Sequence, residues 1–244
     1  MNDVIWNVIV VVCVCLYGFL LGSIPNGVII GKIFFGDDPR NYGSHNSGGT
    51  NSGRAFGKKA GIAVIVLDIL KAVLAFWSVW AVLRFSGIRQ NVSLWDDGVF
   101  YNYLTLFFVS LGHCFSPWIH FKGGKAVACF MGSTGGQGFF NFALCVTCFT
   151  ALFKKKRVMS VATIFSSIII SALQWVLFLI RNFLPNNGQR IMDYFMFNFG
   201  YGGGAFYGWE CALISTLIMF VLIVRHSSNI KRLKDGTEKP VEWK

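Results

Sequence analysis

Two long apolar segments are separated by a polar stretch, Gly43-Ser-His-Asn-Ser-Gly-Gly-Thr-Asn-Ser-Gly-Arg54, which we call the glycine-rich stretch. Glycine lets a backbone turn tightly and approach a ligand closely. Successive N–H groups, hydroxyls and an Arg guanidinium together suit the oxygens of a phosphate. Taken alone, the stretch is equally typical of a flexible polar loop between two membrane helices. The case for a binding site therefore depends on the rest of the chain.

The composition indicates an integral membrane protein. Of the 244 residues, 54% are hydrophobic and only 14% are charged, whereas a soluble domain carries about 25% charged residues. The formal net charge of +11 would suggest nucleic-acid binding in a soluble protein. Here the basic residues lie between apolar spans, so the membrane explains them and no nucleic-acid partner is expected. Because several spans use the residues that further domains would need, we expect one membrane-embedded domain over residues 1–244.

Apolar segments predict an all-α, polytopic membrane bundle of about seven transmembrane helices, some of them short or broken. The predicted helices cover residues 5–21 (with 35 as an alternative end), 62–83, 100–111, 126–131, 139–153, 158–180 and 206–224. A full span needs about 20 residues, so the third and fourth are short. If the short ones are re-entrant, the count falls to five. The break Ser23-Ile-Pro-Asn-Gly27 should kink or end the first helix.

The distribution of basic residues predicts the orientation of the bundle. With seven crossings, one side receives sixteen Lys and Arg, and the other, with segments 84–98 and 181–205, receives four. The positive-inside rule then puts the N-terminus outside and the C-terminus in the cytosol. Three polar motifs meet at the cytosolic face: the glycine-rich stretch, Phe121-Lys-Gly-Gly-Lys125 and Arg225-His-Ser-Ser-Asn-Ile-Lys-Arg232.

Each motif has a functional and a structural interpretation. Residues 121–126 are not a Walker A motif, because Ala126 stands where that motif has Ser or Thr, but a Gly-Gly turn with two lysines at a helix start can bind an anion. His226, Asn229 and Arg232 share one helix face, where a His can act as a general base. The alternative for them is an amphipathic helix end anchored by basic residues.

Further charged residues are open to both interpretations. Arg40 and Arg54 flank the glycine-rich stretch and are both candidates to face an anion. Asp68 and Lys71 are spaced to pair within a span, either as a structural ion pair or as part of the site. His113 alone is most typical of a buried, satisfied histidine.

Together these residues resemble the bacterial membrane family of acyl-phosphate:glycerol-3-phosphate acyltransferases. The family's Ser-Ile-Pro-x-Gly, its glycine-rich Gly-Ser-Gly-Asn-x-Gly-x-Thr-Asn-x-x-Arg, its Asp-x-x-Lys and its Phe-x-Gly-Gly-Lys recur here in order, as does His-x-x-Asn-Ile-x-Arg-Leu-x-x-Gly-x-Glu at 226–238. His45 and Ala126 stand where the family has glycine. At His45, a side chain occupies a position where backbone should approach phosphate.

The resemblance implies transfer of a fatty acyl group from acyl phosphate to the sn-1 hydroxyl of glycerol-3-phosphate, giving lysophosphatidic acid and phosphate, the first committed step of phospholipid synthesis. Acyl phosphate is already activated, so no ATP, CoA, metal or other cofactor is expected. The resemblance implies that Glu238 is structural and that Thr50 and the glycines around it face the acyl phosphate. The residues that it assigns to glycerol-3-phosphate are Ser44, Asn46, Arg54, Lys125, Ser160, His226 and Asn229. The catalytic candidates are Ser44, Arg54, His226 and Asn229, and the substrate-binding candidates are Asn46, Gly48, Gly49, Thr50, Asn51, Gly123, Gly124, Lys125 and Ser160.

The same resemblance predicts a multi-pass protein of the bacterial inner (plasma) membrane, with its active site facing the cytosol. The expected partners are the lipid bilayer, glycerol-3-phosphate, a fatty acyl phosphate and an enzyme that produces acyl phosphate. Short, broken helices and intramembrane charge are also features of transporters, so a transporter of a phosphorylated solute is the alternative function. A non-catalytic lipid-binding scaffold is a second alternative.

Overall fold

The computed structural model describes residues 3–88, 92, 99–185, 208–238, 240–241 and 243. Over these residues the chain is all-helical, without β-strands, as the apolar pattern predicts. The outer segment predicted over 181–205 lies outside the described residues from 186 onward. The α-helices of the described part are α1 Asp3–Ser23, α2 Asn26–Phe35, α3 Gly49–Phe56, α4 Lys58–Phe85, α5 Val99–Cys114, α6 Val127–Gln137, α7 Phe139–Lys156, α8 Met159–Phe183, α9 Trp209–Arg225 and α10 Ser227–Lys234.

Fewer helices are long enough to cross a membrane than the apolar pattern predicts. Within the described residues, three segments meet the requirements of length and hydropathy: Val4–Phe35, Lys58–Phe85 and Met159–Phe183. A fourth is added if α9 and α10, bent by 59° at their junction, count as one span. The predicted count of seven and its alternative of five are therefore not reached. The physical reason is length, because α5, α6 and α9 have 16, 11 and 17 residues, and a full span needs about 20.

Close contact joins α1 to α5. A Cβ on Gly22 would lie 2.1 Å from the carbonyl oxygen of Val109, and one on Gly112 would lie 2.1 Å from that of Phe19. Only glycine allows the two backbones to approach this closely. The contact brings the end of α1 against the segment that follows α5, and that segment carries Lys125.

The break between α1 and α2 confirms the effect predicted for Ser23-Ile-Pro-Asn-Gly27. Helix α1 ends at Ser23, and α2 begins one residue after Pro25. Carbonyl groups freed by such a break need new partners inside a membrane. The Ser23 carbonyl accepts a hydrogen bond from Ser116 Oγ at 2.6 Å, and the Ile24 carbonyl accepts one from Lys71 Nζ at 3.1 Å. The broken backbone is therefore tied to α4 and to the segment after α5.

A buried polar cluster lies beneath the Gly-Gly turn. Asp68 Oδ1 accepts from Lys71 Nζ at 2.9 Å and from Asn26 Nδ2 at 3.0 Å, which confirms the predicted pairing of Asp68 with Lys71. Lys71 Nζ also donates to His113 Nδ1 at 3.0 Å. A Cβ on Gly124 would lie 2.0 Å from His113 Nε2. The cluster therefore fixes the imidazole on which the turn rests.

Candidate active site

The glycine-rich stretch is an ordered turn followed by helix α3, and it is organised by the buried side chain of Asn51. The amide nitrogen of Asn51 lies 2.6 Å from the Pro39 carbonyl, 2.9 Å from that of Tyr42 and 2.9 Å from that of Asn46. Its amide oxygen accepts from the backbone N–H of Ser44 at 2.9 Å. One side chain thus holds several turns of backbone together, and the interpretation as a merely flexible loop does not fit.

Asn46 connects this turn to the Gly-Gly turn. Its amide oxygen accepts from the backbone N–H of Gly48 at 2.9 Å, and its amide nitrogen lies 3.5 Å from the carbonyl oxygen of Gly123. Helix α3 begins directly afterwards, with Gly49 and Thr50 in its first turn. The N–H groups of a first helical turn lack intrahelical acceptors and favour an anion. Asn46 and the start of α3 therefore lie at one polar surface with the Gly-Gly turn.

His45 and Ala126, which the resemblance places where the family has glycine, have left-handed backbone. The φ angle is 54° at His45 and 59° at Ala126, in a region that glycine adopts without strain. The His45 ring is exposed, and its Nδ1–H donates to the Arg40 carbonyl at 2.9 Å. The backbone path expected of glycine is thus preserved at both positions, and the imidazole is held against another part of its own turn.

Arg225 fixes the Gly-Gly turn from the other side. Its Nη2 donates to the Gly123 carbonyl at 3.1 Å, and its Nε donates to the Gly124 carbonyl at 3.2 Å. The guanidinium also lies 5.3 Å from the centre of the Phe115 ring, within the range of a cation–π contact. Sequence reasoning placed Arg225 in the third polar motif without giving it a role. Its acceptors are backbone carbonyls, which leave no trace in a sequence.

Lys125 lies in a second polar cluster, which we call the Lys125 cluster. Its other members are Ser160, Asn229, Arg232 and Glu238. The Lys125 ammonium donates to Asn229 Oδ1 at 2.5 Å. Burial lowers the pKa of Lys125 to about 8, and the positive charge of Arg232 adds to this effect. The charges of Arg225 and Arg54 act in the same direction. A group surrounded by cations and short of solvent would gain from a bound anion, because an anion offsets both causes.

Glu238 orients the residues around Lys125. Its carboxylate accepts from Asn229 Nδ2 at 2.6 Å, from Ser160 Oγ at 2.9 Å and from Arg232 Nε at 2.6 Å. Burial acts to raise the pKa of this carboxyl, but the three donors outweigh it and hold the pKa below its usual range. Because the amide nitrogen of Asn229 is bound to Glu238, its oxygen is left to face Lys125. Ser160 and Asn229 thus belong to one network.

His226 lies at the junction of α9 and α10, and its ring is buried. Its Nδ1 lies 2.8 Å from the Leu222 carbonyl oxygen. A carbonyl can only accept a hydrogen bond, so Nδ1 carries the proton and Nε2 has the free lone pair in the neutral ring. The ring is therefore held in the tautomer that a general base acting through Nε2 requires.

The two arginines that flank the glycine-rich stretch have different surroundings. Arg40 forms an ion pair with Asp38 at 2.7 Å, and its Nη1 donates to the Ile119 carbonyl at 3.3 Å. It therefore supports the loop, and its pairing with Asp38, two residues earlier, separates it from Arg54. Arg54 lies in the last turn of α3, close enough to lower the pKa of Lys125. Ser44 is exposed on the turn.

An open apolar groove of about 560 Å³ runs along the break between α1 and α2. Trp118 forms one wall, and its indole N–H donates to Ser23 Oγ at 2.8 Å. Trp118 and Lys125 both belong to the segment between α5 and α6. The groove and the Lys125 cluster are therefore joined by one segment. The lining residues are Tyr17, Leu20, Leu21, Ile24, Pro25, Ile29 and Trp118.

Comparison with known proteins gives consistent results over nearly the whole chain. The family model described as Glycerol-3-phosphate acyltransferase matches residues 12–236. The glycerol-3-phosphate acyltransferase of Macrococcus caseolyticus is 33% identical over 94% of this chain and 96% of its own length. That of Enterococcus faecalis is 32% identical over 96% of this chain and 93% of its own length.

Solved structures show the same likeness. The crystal structure of PlsY (YgiH), an integral membrane glycerol 3-phosphate acyltransferase, in its glycerol 3-phosphate form is 28% identical, with a TM-score of 0.73 over 95% of this chain and 96% of that chain. The lysophosphatidic acid form is 26% identical, with a TM-score of 0.70 over 94% of both chains. The region that the family model matches, residues 12–236, includes all three polar motifs.

Proposed function

The chain belongs to the glycerol-3-phosphate acyltransferase family and is a membrane acyltransferase, and from this premise we propose that its acyl donor is a fatty acyl phosphate. The hydroxyl at sn-1 of glycerol-3-phosphate attacks the acyl carbon, the bond from that carbon to the phosphate oxygen breaks, and lysophosphatidic acid and phosphate leave. The observation that carries the proposal is the network in which Lys125, Asn229, Glu238 and Ser160 meet beside the glycine-rich stretch.

Two substrates of different character fit the two parts of this region. Glycerol-3-phosphate is a small dianion, and the half-buried Lys125 and the guanidinium of Arg54 supply positive charge for it. The apolar groove beside Trp118 suits the acyl chain of a lipid donor. Such a donor is already activated, so the catalytic task is positioning and stabilisation of the oxyanion and the leaving phosphate.

We assign roles according to surroundings. Gly49 and Thr50 offer N–H groups at the start of α3 to the donor phosphate. Gly48, whose own N–H donates to Asn46 Oδ1, precedes the helix and lets the chain enter it. Asn46, with Gly123 and Gly124, borders the same surface, and the exposed Ser44 hydroxyl is free to reach a substrate. Asn51, whose amide is committed to the turn, and Ser160, bound to Glu238, position their neighbours.

The proton of the attacking hydroxyl has two candidate acceptors. Nε2 of His226 has a free lone pair, because Nδ1 is bound to the Leu222 carbonyl. A phosphate oxygen of the donor could accept the proton instead. Asn229 and Lys125 would then act only by holding glycerol-3-phosphate.

The remaining elements of the proposal concern the setting of the enzyme. We propose that residues 1–244 act as one domain in the inner (plasma) membrane of a bacterium, with N-terminus outside and the site facing the cytosol. Contacts bring the three motifs to one surface, and the Lys and Arg within these motifs support a cytosolic position for it. An enzyme that makes acyl phosphate must supply the donor.

The test uses purified protein in lipid nanodiscs with palmitoyl phosphate, with and without glycerol-3-phosphate. Phosphate release and lysophosphatidic acid are both measured. Arg54→Ala should abolish both products, whereas Arg40→Ala is the matched control, since Arg40 is already paired with Asp38. Phosphate release that does not depend on glycerol-3-phosphate, or equal losses in the two variants, would contradict the proposal.

A further inference from the structure

The segment that follows α10 is bound to three separate parts of the bundle. Glu238 binds Asn229 and Ser160, as described above. Further along, the backbone N–H of Val241 donates to the Arg157 carbonyl at 3.1 Å, at the junction of α7 and α8. The indole N–H of Trp243 donates to the Thr50 carbonyl at 3.3 Å, in the first turn of α3. One segment thus connects α3 with α8 and α10.

The Trp243 ring also packs directly on the backbone of α3. A Cβ on Gly53 would lie 2.7 Å from the indole Nε1 and 2.8 Å from Cε2. On its other side, α3 packs against α4, where a Cβ on Gly61 would lie 2.8 Å from the Gly53 Cα. Helix α3 is therefore held between α4 and the indole, and glycine at position 53 is what allows both contacts.

Helix α3 is short, and its position depends on contacts with its neighbours, among them α4 and the turn that Asn51 holds. It has only eight residues, and isolated helices shorter than about 12–15 residues are marginal in water. It carries Thr50 at its start and Arg54 in its last turn, which are two candidate site residues. An eight-residue helix with a substrate at one end needs outside contacts to hold its position to the tolerance that catalysis demands.

We propose that Trp243 is a positioning residue that fixes α3, and with it the N–H groups around Thr50, against the donor phosphate. The hydrogen bond from the indole N–H fixes the position of the Thr50 end of the helix. The face of the ring, packed on Gly53, fixes the position of the Gly53–Arg54 end. The assignment of Thr50 to the donor rests on the proposed function; the mechanical role of Trp243 does not.

The test compares Trp243→Phe and Trp243→Ala with Trp175→Phe in lipid nanodiscs. The Phe variant keeps a ring on Gly53 but loses the indole N–H, whereas the Ala variant loses both. Trp175 is the matched control, because its indole N–H also donates to a threonine oxygen, Thr216 Oγ1 at 3.0 Å, at an exposed position on α8.

Two readouts separate the positioning role from the proposed function. Hydrogen exchange at residues 49–56 should accelerate in Trp243→Ala and stay at the wild-type rate in Trp175→Phe. Kinetically, Trp243→Phe should raise the KM for acyl phosphate about two- to tenfold, the range expected of one neutral hydrogen bond, with the KM for glycerol-3-phosphate unchanged. Trp243→Ala should raise both values, because Arg54 is released as well.

Unchanged exchange at 49–56 in Trp243→Ala would overturn the proposal. Faster exchange with both KM values equal to those of the control would overturn the claim that the contact positions substrate. If wild-type protein transfers no acyl group, the proposed function fails, and the exchange experiment still decides whether Trp243 holds α3.

Discussion

The titration of Lys125 should set the alkaline limb of the pH–rate profile. Burial and the surrounding positive charges lower the pKa of this lysine to about 8, well below the usual value for lysine of about 10.4. Only the ammonium form attracts the dianion of glycerol-3-phosphate. The second ionisation of that phosphate has a pKa of about 6 and is therefore complete well below pH 8. The kcat/KM for glycerol-3-phosphate should therefore fall about tenfold per pH unit above pH 8, reaching about one-tenth of its plateau near pH 9.

Three substitutions make the origin of this limb testable. Lys125→Arg should remove the limb, because a guanidinium stays charged beyond pH 12. Arg232→Gln should move the limb to higher pH, since it removes the positive charge that acts most strongly on Lys125. Glu238→Gln should move it to lower pH, since the Glu238 carboxylate raises the pKa of Lys125. Because the Arg232 side chain is 41% exposed, solvent screening should keep its shift below about one unit.

The opposite signs of the last two shifts are the decisive feature. Arg232 and Glu238 form one ion pair at 2.6 Å, so a general loosening of the pair would impair both variants in the same way. The assay is initial phosphate release from acyl phosphate over roughly pH 6 to pH 10, with enzyme-free blanks for spontaneous hydrolysis at every pH. An alkaline limb that survives in Lys125→Arg, or shifts of equal sign in the other two variants, would refute the reasoning.

Three further substitutions probe single contacts. His226→Asn keeps an amide donor for the Leu222 carbonyl but lacks Nε2. If Nε2 is the base, kcat should fall about 10²- to 10⁴-fold at unchanged thermal stability. A loss below tenfold would assign the proton to the donor phosphate. Asp68→Asn leaves the buried Lys71 without its counter-charge and should lower the free energy of unfolding by about 3–5 kcal/mol, and wild-type stability in thermal or denaturant unfolding would contradict the pairing. Gly124→Ala places a methyl group 2.0 Å from His113 Nε2 and should therefore displace the neighbouring Lys125. Binding of glycerol-3-phosphate, measured by calorimetry, should be lost. Wild-type affinity would show that the turn does not rest on the imidazole.

The sequence predicted that the site residues meet, because polar and charged motifs are easily recognised between apolar segments. Lys125 and Asn229 are separated by about a hundred residues in sequence, yet both stand in polar motifs beside apolar helices. Counted over seven crossings, the charge asymmetry predicted one face for these motifs, although the described residues do not reach seven spans. The contact between Lys125 Nζ and Asn229 Oδ1 agrees with that expectation.

Other contacts left no comparable signal. Arg225 binds carbonyls of the Gly-Gly turn, and Trp243 binds the carbonyl of Thr50; every residue offers such an acceptor, so the sequence does not mark the target. Arg40 is different, because Asp38 lies two residues before it and accepts from both its backbone and its guanidinium. That short spacing was a usable sign that Arg40 serves its own turn.

The helix count failed for a related reason. Apolar composition shows which segments avoid water, but it does not distinguish a helix that faces lipid from one that is enclosed by protein. Helix α6 is apolar and only 11 residues long, and most of its side chains are buried against its neighbours. Its burial within the protein accounts for its apolar side chains without any contact with lipid. A count of apolar segments therefore overestimates the number of spans.

The two departures from family glycines affect backbone energy more than chemistry. Left-handed backbone costs a residue other than glycine about 1–3 kcal/mol, and such a residue persists only where its surroundings hold it. At His45 the hydrogen bond to the Arg40 carbonyl does so, and at Ala126 the carbonyl accepts from the Phe130 N–H at 2.8 Å in the first turn of α6. Because a residue with a side chain has fewer unfolded conformations than glycine, part of the strain is offset in the unfolded state. The polar surface beside Lys125 can therefore keep its geometry without glycine at either position, at a cost in stability that two local hydrogen bonds reduce.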